Sequence, residues 1–188
     1  MFRVMVLICC ALQVLSVEAR TTENSKKRLA LVDAVVLHSI GGPFCKRGRV
    51  VYSGAPGDAQ RWLQFFEGHK VLGIHYVVDR QGLVLQGIAE NRVANHALGW
   101  NNRSIGIELV NKGDGKERLT PLQWRAAQAL VRRLIAKYPG ISKKRVFRHS
   151  DIDTRTFNCG GISVKQKQDP GNAFDYSKFV DSLSAVER

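Results

Sequence analysis

SIGIELVNKGDGKERLTPLQWRAAQALVRRLIAKYPG, residues 104–140, carries in one stretch the two periodicities that decide the fold. Over 104–110 the apolar Ile105, Ile107 and Leu109 alternate with Ser104, Gly106 and Glu108, the period of a strand with one buried face. Glu108 therefore leaves the apolar face. From Thr120 the period becomes helical, with Thr120 as N-cap, Pro121 at the first helical position and Gln123 placed to complete a capping box. Ala127, Leu130, Val131, Leu134, Ile135 and Tyr138 form its buried stripe. Arg125, Arg132, Arg133 and Lys137 form its wet face, and Pro139-Gly140 stops it.

The same alternation of elements continues on both sides. Residues 32–38 (VDAVVLH) are a β-branched run ending in His38, which reads as a buried strand. Residues 41–56, with four glycines and prolines at 43 and 56, read as a long surface loop. Residues 58–68 (DAQRWLQFFEG) place Trp62, Phe65 and Phe66 on one helical face. Residues 74–79 (IHYVVD) and 83–86 (LVLQ), joined by Arg80-Gln81-Gly82, form a hairpin pattern. A short strand at Val146 and Phe147 leads into His149, and Phe179, Val180 and Leu183 mark a closing helix over residues 176–186. Strands interleaved with helices predict an α/β fold: a single domain with a central mixed β-sheet flanked by helices.

The N-terminus has a different character. Arg3 precedes the apolar run VMVLICCALQVL, and Val17-Glu18-Ala19 offers small residues at the first and third places before Arg20, the pattern of an export signal cleaved after residue 19. The run is too short to span a bilayer as a stable helix, so no stable membrane anchor is expected. The organisation read from the sequence is therefore a signal peptide at 1–19, a polar, flexible lead-in at 20–31 and one domain at 32–188, exported to the periplasm or the extracellular space. One domain of this size can bury a proper core without staples, and a monomer is expected.

Lys and Arg number 29 against 16 Asp and Glu, a net charge of +13, and the signal removes one charge of each sign. Such a balance suits a polyanionic partner, though it also maintains solubility. No helix-turn-helix, zinc finger or aromatic nucleic-acid platform accompanies the charge, so nucleic acid is not the expected partner. An exported basic protein meets the carboxylates of stem peptides and the phosphates of envelope polymers instead. Cys9 and Cys10 leave with the signal, and Cys45 and Cys159 remain. In an oxidising compartment these two can pair, but the sequence does not place their Cα atoms within bonding range.

Five histidines occur, at positions 38, 69, 75, 96 and 149, without a local H-E-x-x-H or C-x-x-C motif. Any metal site has to be assembled from distant strand ends. From the residues alone, the candidates are His38 at a strand end, Glu108 off its apolar face, and the turn His149-Ser150-Asp151 ahead of Lys167-Gln168-Asp169-Pro170-Gly171.

Five segments in order carry a resemblance: VVLHSI (35–40), GIHYVVDRQG (73–82), NHALGWNNRSIGIELVN (95–111), RHSDID (148–153) and KQDPGNAFDY (167–176). Together they resemble the type-2 N-acetylmuramoyl-L-alanine amidases, the zinc peptidoglycan amidases that include an anhydro-muropeptide branch and are related to peptidoglycan recognition proteins. The likeness extends over about residues 32–184. It implies a zinc ion, Zn2+, at the strand ends held by His38, His149 and Asp169. Three protein ligands leave a position for water, as hydrolytic zinc requires. It further implies Glu108 as general base, Lys167 as the cation beside the oxyanion, and His75 and His96 as residues that order the site or contact substrate.

The implied reaction is hydrolysis of the amide between N-acetylmuramic acid, or its 1,6-anhydro form, and the L-alanine of a stem peptide. The implied partners are peptidoglycan or soluble muropeptides. A non-catalytic peptidoglycan-binding module is the alternative, since some animal relatives bind without cutting after losing a ligand. Two departures bear on the site. The segment between His149 and Asp169 is longer than in compact members and brings in Cys159 as a rival third ligand, because some branches use cysteine there; the K-x-D-P-G pattern favours Asp169. Ile74 stands where phage members have a catalytic tyrosine, which leaves the general-base role to Glu108.

Overall fold

The computed structural model describes residues 25–54 and 56–184, so the expected signal sequence and the last residues of the chain lie outside it. Its centre is the run AVVLHS, which forms strand β1 (Ala34–Ser39) and is buried along its whole length. Only a strand with neighbours on both edges and layers on both faces can be buried in this way. β1 pairs in parallel with β6 (Ser104–Leu109) on one side and β7 (Val146–Arg148) on the other. β4 (Tyr76–Val78) extends the sheet in parallel beyond β6, and β5 (Val84–Gln86) closes it antiparallel. The order β5-β4-β6-β1-β7 is the expected mixed sheet. The 74–86 hairpin turns at Gly82, whose φ of 82° suits glycine.

The two faces are covered separately. Val35 and Leu37, with Ile105, Ile107 and Leu109, pack under helix α2 (Pro121–Lys137) and helix α4 (Tyr176–Asp181). Val77, Leu85 and Ile40 pack under helix α1 (Ala59–Gly68). Both N-caps follow from the sequence: Asp58 accepts the Arg61 N–H and Thr120 accepts the Gln123 N–H. The capping box is only half made, because the Gln123 amide is buried and donates to the carbonyls of Val78 and Val110. α4 ends earlier than its apolar pattern suggests, although Leu183 beyond it is still buried.

Other expectations need correction. Residues 41–56 are largely a hairpin rather than a loop: β2 (Gly42–Lys46) and β3 (Arg49–Ser53) meet at Arg47-Gly48, both with positive φ, the twist of a type I′ turn. A second hairpin, β8 (Thr156–Cys159) with β9 (Ile162–Lys165), turns at Gly160-Gly161 in the same way and fills the long segment between His149 and Asp169. The aromatic face of α1 is not all core, since Ala59 and Leu63 are buried whereas Phe65 is 45% exposed. Finally, packing begins at Ser25 within the expected flexible lead-in. Arg28 donates to the carbonyls of Glu90, Arg92, Asn101 and Ser104, and Lys27 bridges to Arg92.

Arg133 and Lys137, read as a wet face, turn instead to a buried carboxylate. Glu90 accepts from Arg133, Lys137, Tyr76 and Tyr138 at 2.5–2.9 Å. Burial alone would raise its pKa, but these donors outweigh it and hold the carboxyl at about 2. This network ties α2 to β4 and to the segment carrying Arg28.

Candidate active site

Parallel register sets the first pair of site residues. His38 lies directly across from Glu108, and both point away from the face carrying Val35 and Ile105. His149 opens the helical turn α3 (His149–Ile152) immediately after β7, and Asp169 lies in the loop after β9, its carbonyl accepting the Ser150 N–H. These separate segments converge. His38 Nδ1 is 2.9 Å from His149 Nδ1, His149 Nδ1 is 3.0 Å from Asp169 Oδ2, and Asp169 Oδ2 is 3.3 Å from His38 Nδ1.

Hydrogen-bond bookkeeping determines which atoms carry protons. The Ser104 hydroxyl, 2.7 Å from the Trp100 carbonyl, donates there and so can only accept from His96 Nε2 at 3.3 Å. His96 then accepts at Nδ1 from His38 Nε2, 3.0 Å away. His38 Nδ1 is left with a lone pair facing His149 and Asp169. Both rings are neutral: burial brings His38 down to about 4 and holds His96 well below the ordinary value.

His75 lies one layer beneath. Its Nδ1 accepts the Gly106 N–H, and burial, reinforced by the Arg28 guanidinium, takes it down to about 3. Gly106 has no side chain for a simple reason: a Cβ there would sit 2.6 Å from the His96 ring.

Three lone-pair atoms at such separations repel unless a proton or a cation lies among them. A tetrahedral zinc with bonds of about 2.0–2.1 Å keeps its ligand atoms about 3.3 Å apart, so the observed triangle fits with small relaxation. Among the described residues His38, His149 and Asp169 are the one His, Cys, Asp or Glu group that could hold a metal, and they leave one tetrahedral position open. Cys159 does not compete. Its sulfur is bonded to Cys45, joining the two hairpins.

The triangle opens into a cavity of about 350 Å3. Glu108 and Lys167 line it, as do Trp62, Phe65 and Leu72 on one side and Gly41 and Ser53 on another. Glu108 Oε2 and Trp62 Nε1 are buried and have no hydrogen-bond partner among the described residues. Burial, with the Asp169 charge adding to it, raises Glu108 to about 8, while Lys167 pulls the other way. A carboxylate with this pKa takes up and releases a proton near neutral pH. Larger clefts of about 990 and 800 Å3 lie elsewhere and include none of these groups.

Apart from Cys159, the candidates read from the sequence are therefore in or directly behind one cavity: His38, His149, Asp169, Glu108 and Lys167 line it, His96 abuts His38, and His75 backs His96. Sequence reasoning missed Ser104, Gly106 and Trp62. The polar face of 104–108 was the available signal for the first two, because Ser104 and Gly106 alternate with Glu108 on the side facing the histidines.

The pattern of the N-acetylmuramoyl-L-alanine amidase family (Amidase_2) matches residues 27–172. The endolysin of Escherichia phage T7 is 37% identical over 85 residues, 43% of this chain and 52% of the endolysin. The 1,6-anhydro-N-acetylmuramyl-L-alanine amidase AmpD of Haemophilus influenzae is 31% identical over 117 residues, 58% of this chain and 57% of AmpD. The match thus spans little more than half the length of either relative. Among solved structures, the N-acetylmuramoyl-L-alanine amidase LysC from Clostridium intestinale superposes with a TM-score of 0.58 at 26% identity, covering 81% of this chain and 85% of LysC. The chain belongs to the N-acetylmuramoyl-L-alanine amidase family.

Proposed function

We propose that the chain is a zinc amidase that hydrolyses the bond between the lactyl group of N-acetylmuramic acid, plain or 1,6-anhydro, and the L-alanine of a peptidoglycan stem peptide. The observation that carries this reading is the convergence of His38 Nδ1, His149 Nδ1 and Asp169 Oδ2 at the mouth of a cavity that also holds an unpaired buried carboxylate. His38, His149 and Asp169 would hold the zinc. When bound, zinc supplies Lewis acidity, lowering the pKa of a water and polarising the scissile carbonyl.

The chain's own residues do the rest. Glu108 takes a proton from the attacking water as its oxygen bonds to the carbonyl carbon. The same carboxyl then returns the proton to the alanine nitrogen as the C–N bond breaks, leaving a lactyl carboxylate and a free peptide amine. Lys167, which has no ion pair with a described residue, offers an ammonium to the oxyanion that develops meanwhile. His96 and Ser104 hold His38 in the tautomer that presents Nδ1. Ile74 is 1% exposed in the core beneath α1 and brings no hydroxyl to the cavity, which leaves proton transfer to Glu108.

Export belongs to the same proposal. A disulfide between Cys45 and Cys159 suits an oxidising compartment, and no helix among the described residues is long and apolar enough to cross a membrane. The working unit is then the domain at residues 32–188 with the packed segment from Ser25 ahead of it; it acts as a monomer and takes peptidoglycan or its fragments as partner. Purified residues 20–188 should contain one zinc and release stem peptide with a free N-terminal L-alanine from a muropeptide. A folded, metal-free protein that sediments with cell walls without cutting them would instead make it a binding module.

A further inference from the structure

Helix α2 begins without the negative charge that helix starts ordinarily attract. Its first turn has no acidic residue, although the aligned peptide dipoles place about half a positive charge there. Arg118 comes just before that turn and Arg125 just after it. With Lys178 of α4 and Arg148 of β7 they line a cleft of about 800 Å3, whose walls also include the rings of Trp124 and Tyr176.

Local acids do not balance this charge. Arg148 is paired with Asp151 through two bonds of 2.8 and 2.9 Å. Asp175, the one acidic residue lining the cleft, accepts the Lys178 N–H as the cap of α4. Arg118, Arg125 and Lys178 make no ion pair with a described residue, and all three are exposed. Like charges gathered against a positive helix end raise the free energy of the folded chain until an anion joins them.

The cleft is joined to the catalytic cavity through the chain. Arg148 directly precedes His149, and Asn172 on the cleft wall is three residues beyond Asp169, so short stretches of chain connect the cleft, on the α2–α4 face of the sheet, with the cavity on its α1 face. We infer that this cleft is a second subsite for the polymer, in which Arg118, Arg125 and Lys178 bind the carboxylates of a stem peptide neighbouring the one whose amide is cut. The inference rests on the amidase reading above. Guanidinium forks match carboxylates in bidentate geometry, and aromatic faces suit the apolar sides of sugars and alkyl chains. A polymer that repeats its carboxylates at regular intervals can occupy both clefts at once, which adds avidity without any new contact at the zinc.

Sedimentation with purified sacculi tests this directly. The variant R118E/R125E/K178E is compared with K26E/R61E/K144E, which changes net charge equally at exposed positions outside the cleft. The cleft variant should bind sacculi about tenfold more weakly, a loss of about 1.4 kcal/mol, and the matched control less than about twofold. Wild-type binding should fall on sacculi whose carboxyls have been amidated and persist on sacculi stripped of phosphate polymers. Equal losses in the two variants would overturn the cleft in favour of general charge attraction. Binding that survives amidation but not phosphate removal would overturn the carboxylate assignment. Circular dichroism checks folding, and the milder R125Q/K178Q should still lose about threefold if the triple reversal fails to fold. Turnover of a single soluble muropeptide, too short to bridge the clefts, reports the amidase reading separately, so either idea can fail alone.

Discussion

Gly106→Ala probes the support behind the metal ligands rather than the ligands themselves. The new Cβ would stand 2.6 Å from His96 Cγ and 2.7 Å from His96 Nδ1, against an ordinary contact of 3.4–4 Å, so the ring has to retreat by about 1 Å. That movement stretches the His96 Nδ1 to His38 Nε2 contact from 3.0 Å to about 4 Å, beyond hydrogen bonding. His38 then loses the partner that fixes its tautomer and ring orientation. Loss of such a partner typically weakens metal affinity about 10- to 100-fold, and overpacking adds roughly 1–3 kcal/mol of destabilisation. Competition against a chelator of known zinc affinity measures the first effect and a denaturant titration the second. Gly68→Ala, where nothing lies within 4 Å of the added Cβ, is the control. Ser104→Ala, which removes the acceptor for His96 Nε2 without a clash, should weaken zinc binding about tenfold. Wild-type zinc affinity in both Gly106→Ala and Ser104→Ala would refute the proposed hydrogen-bond chain.

Other outcomes follow from the same geometry. Glu108→Gln should retain zinc by metal analysis yet lose about 10²- to 10⁴-fold in turnover, whereas a loss under threefold would remove its role as base. Glu90 has a folded pKa of about 2, below its ordinary 4.5, so its stabilisation is complete above pH 4.5 and disappears as pH falls through 2. Glu90→Gln should cost roughly 2 kcal/mol near neutrality and flatten the decline in stability between those pH values; unfolding midpoints that fall in parallel with those of the wild type would contradict it. Cys45→Ser/Cys159→Ser opens a link across 114 residues and should cost roughly 2–4 kcal/mol while zinc remains bound. Zinc lost from that variant but kept by Asp169→Ala would reverse the choice of third ligand.

Legibility in the sequence followed local physics. The strand over 104–110 and the helix from Thr120 were readable because one face of each is buried continuously, and that burial imposes a period. The hairpins at 42–53 and 156–165 were not, because their residues are mostly exposed and only the turns Arg47-Gly48 and Gly160-Gly161 impose a rule. Their join through Cys45 and Cys159 is a long-range contact that no spacing encodes. The Glu90 network was hidden for another reason: Arg133 and Lys137 have the helical spacing of a wet face, and only the fold reveals a carboxylate beneath them. At the site, the alternation at Glu108 was legible from period alone, but convergence of His38, His149 and Asp169 depends on parallel pairing of β1 with β6 and β7. The ordered motifs supplied by resemblance what periodicity could not.

The central claim is amide cleavage at a zinc held by this triangle, and product analysis tests it most directly. Zinc-loaded residues 20–188 are incubated with a defined muropeptide, and the products are identified by mass spectrometry. The account predicts stem peptide with a free N-terminal L-alanine, no release after chelation, and recovery when zinc is restored. Folded, zinc-loaded protein that releases nothing, or equal release after the metal is stripped, would contradict it.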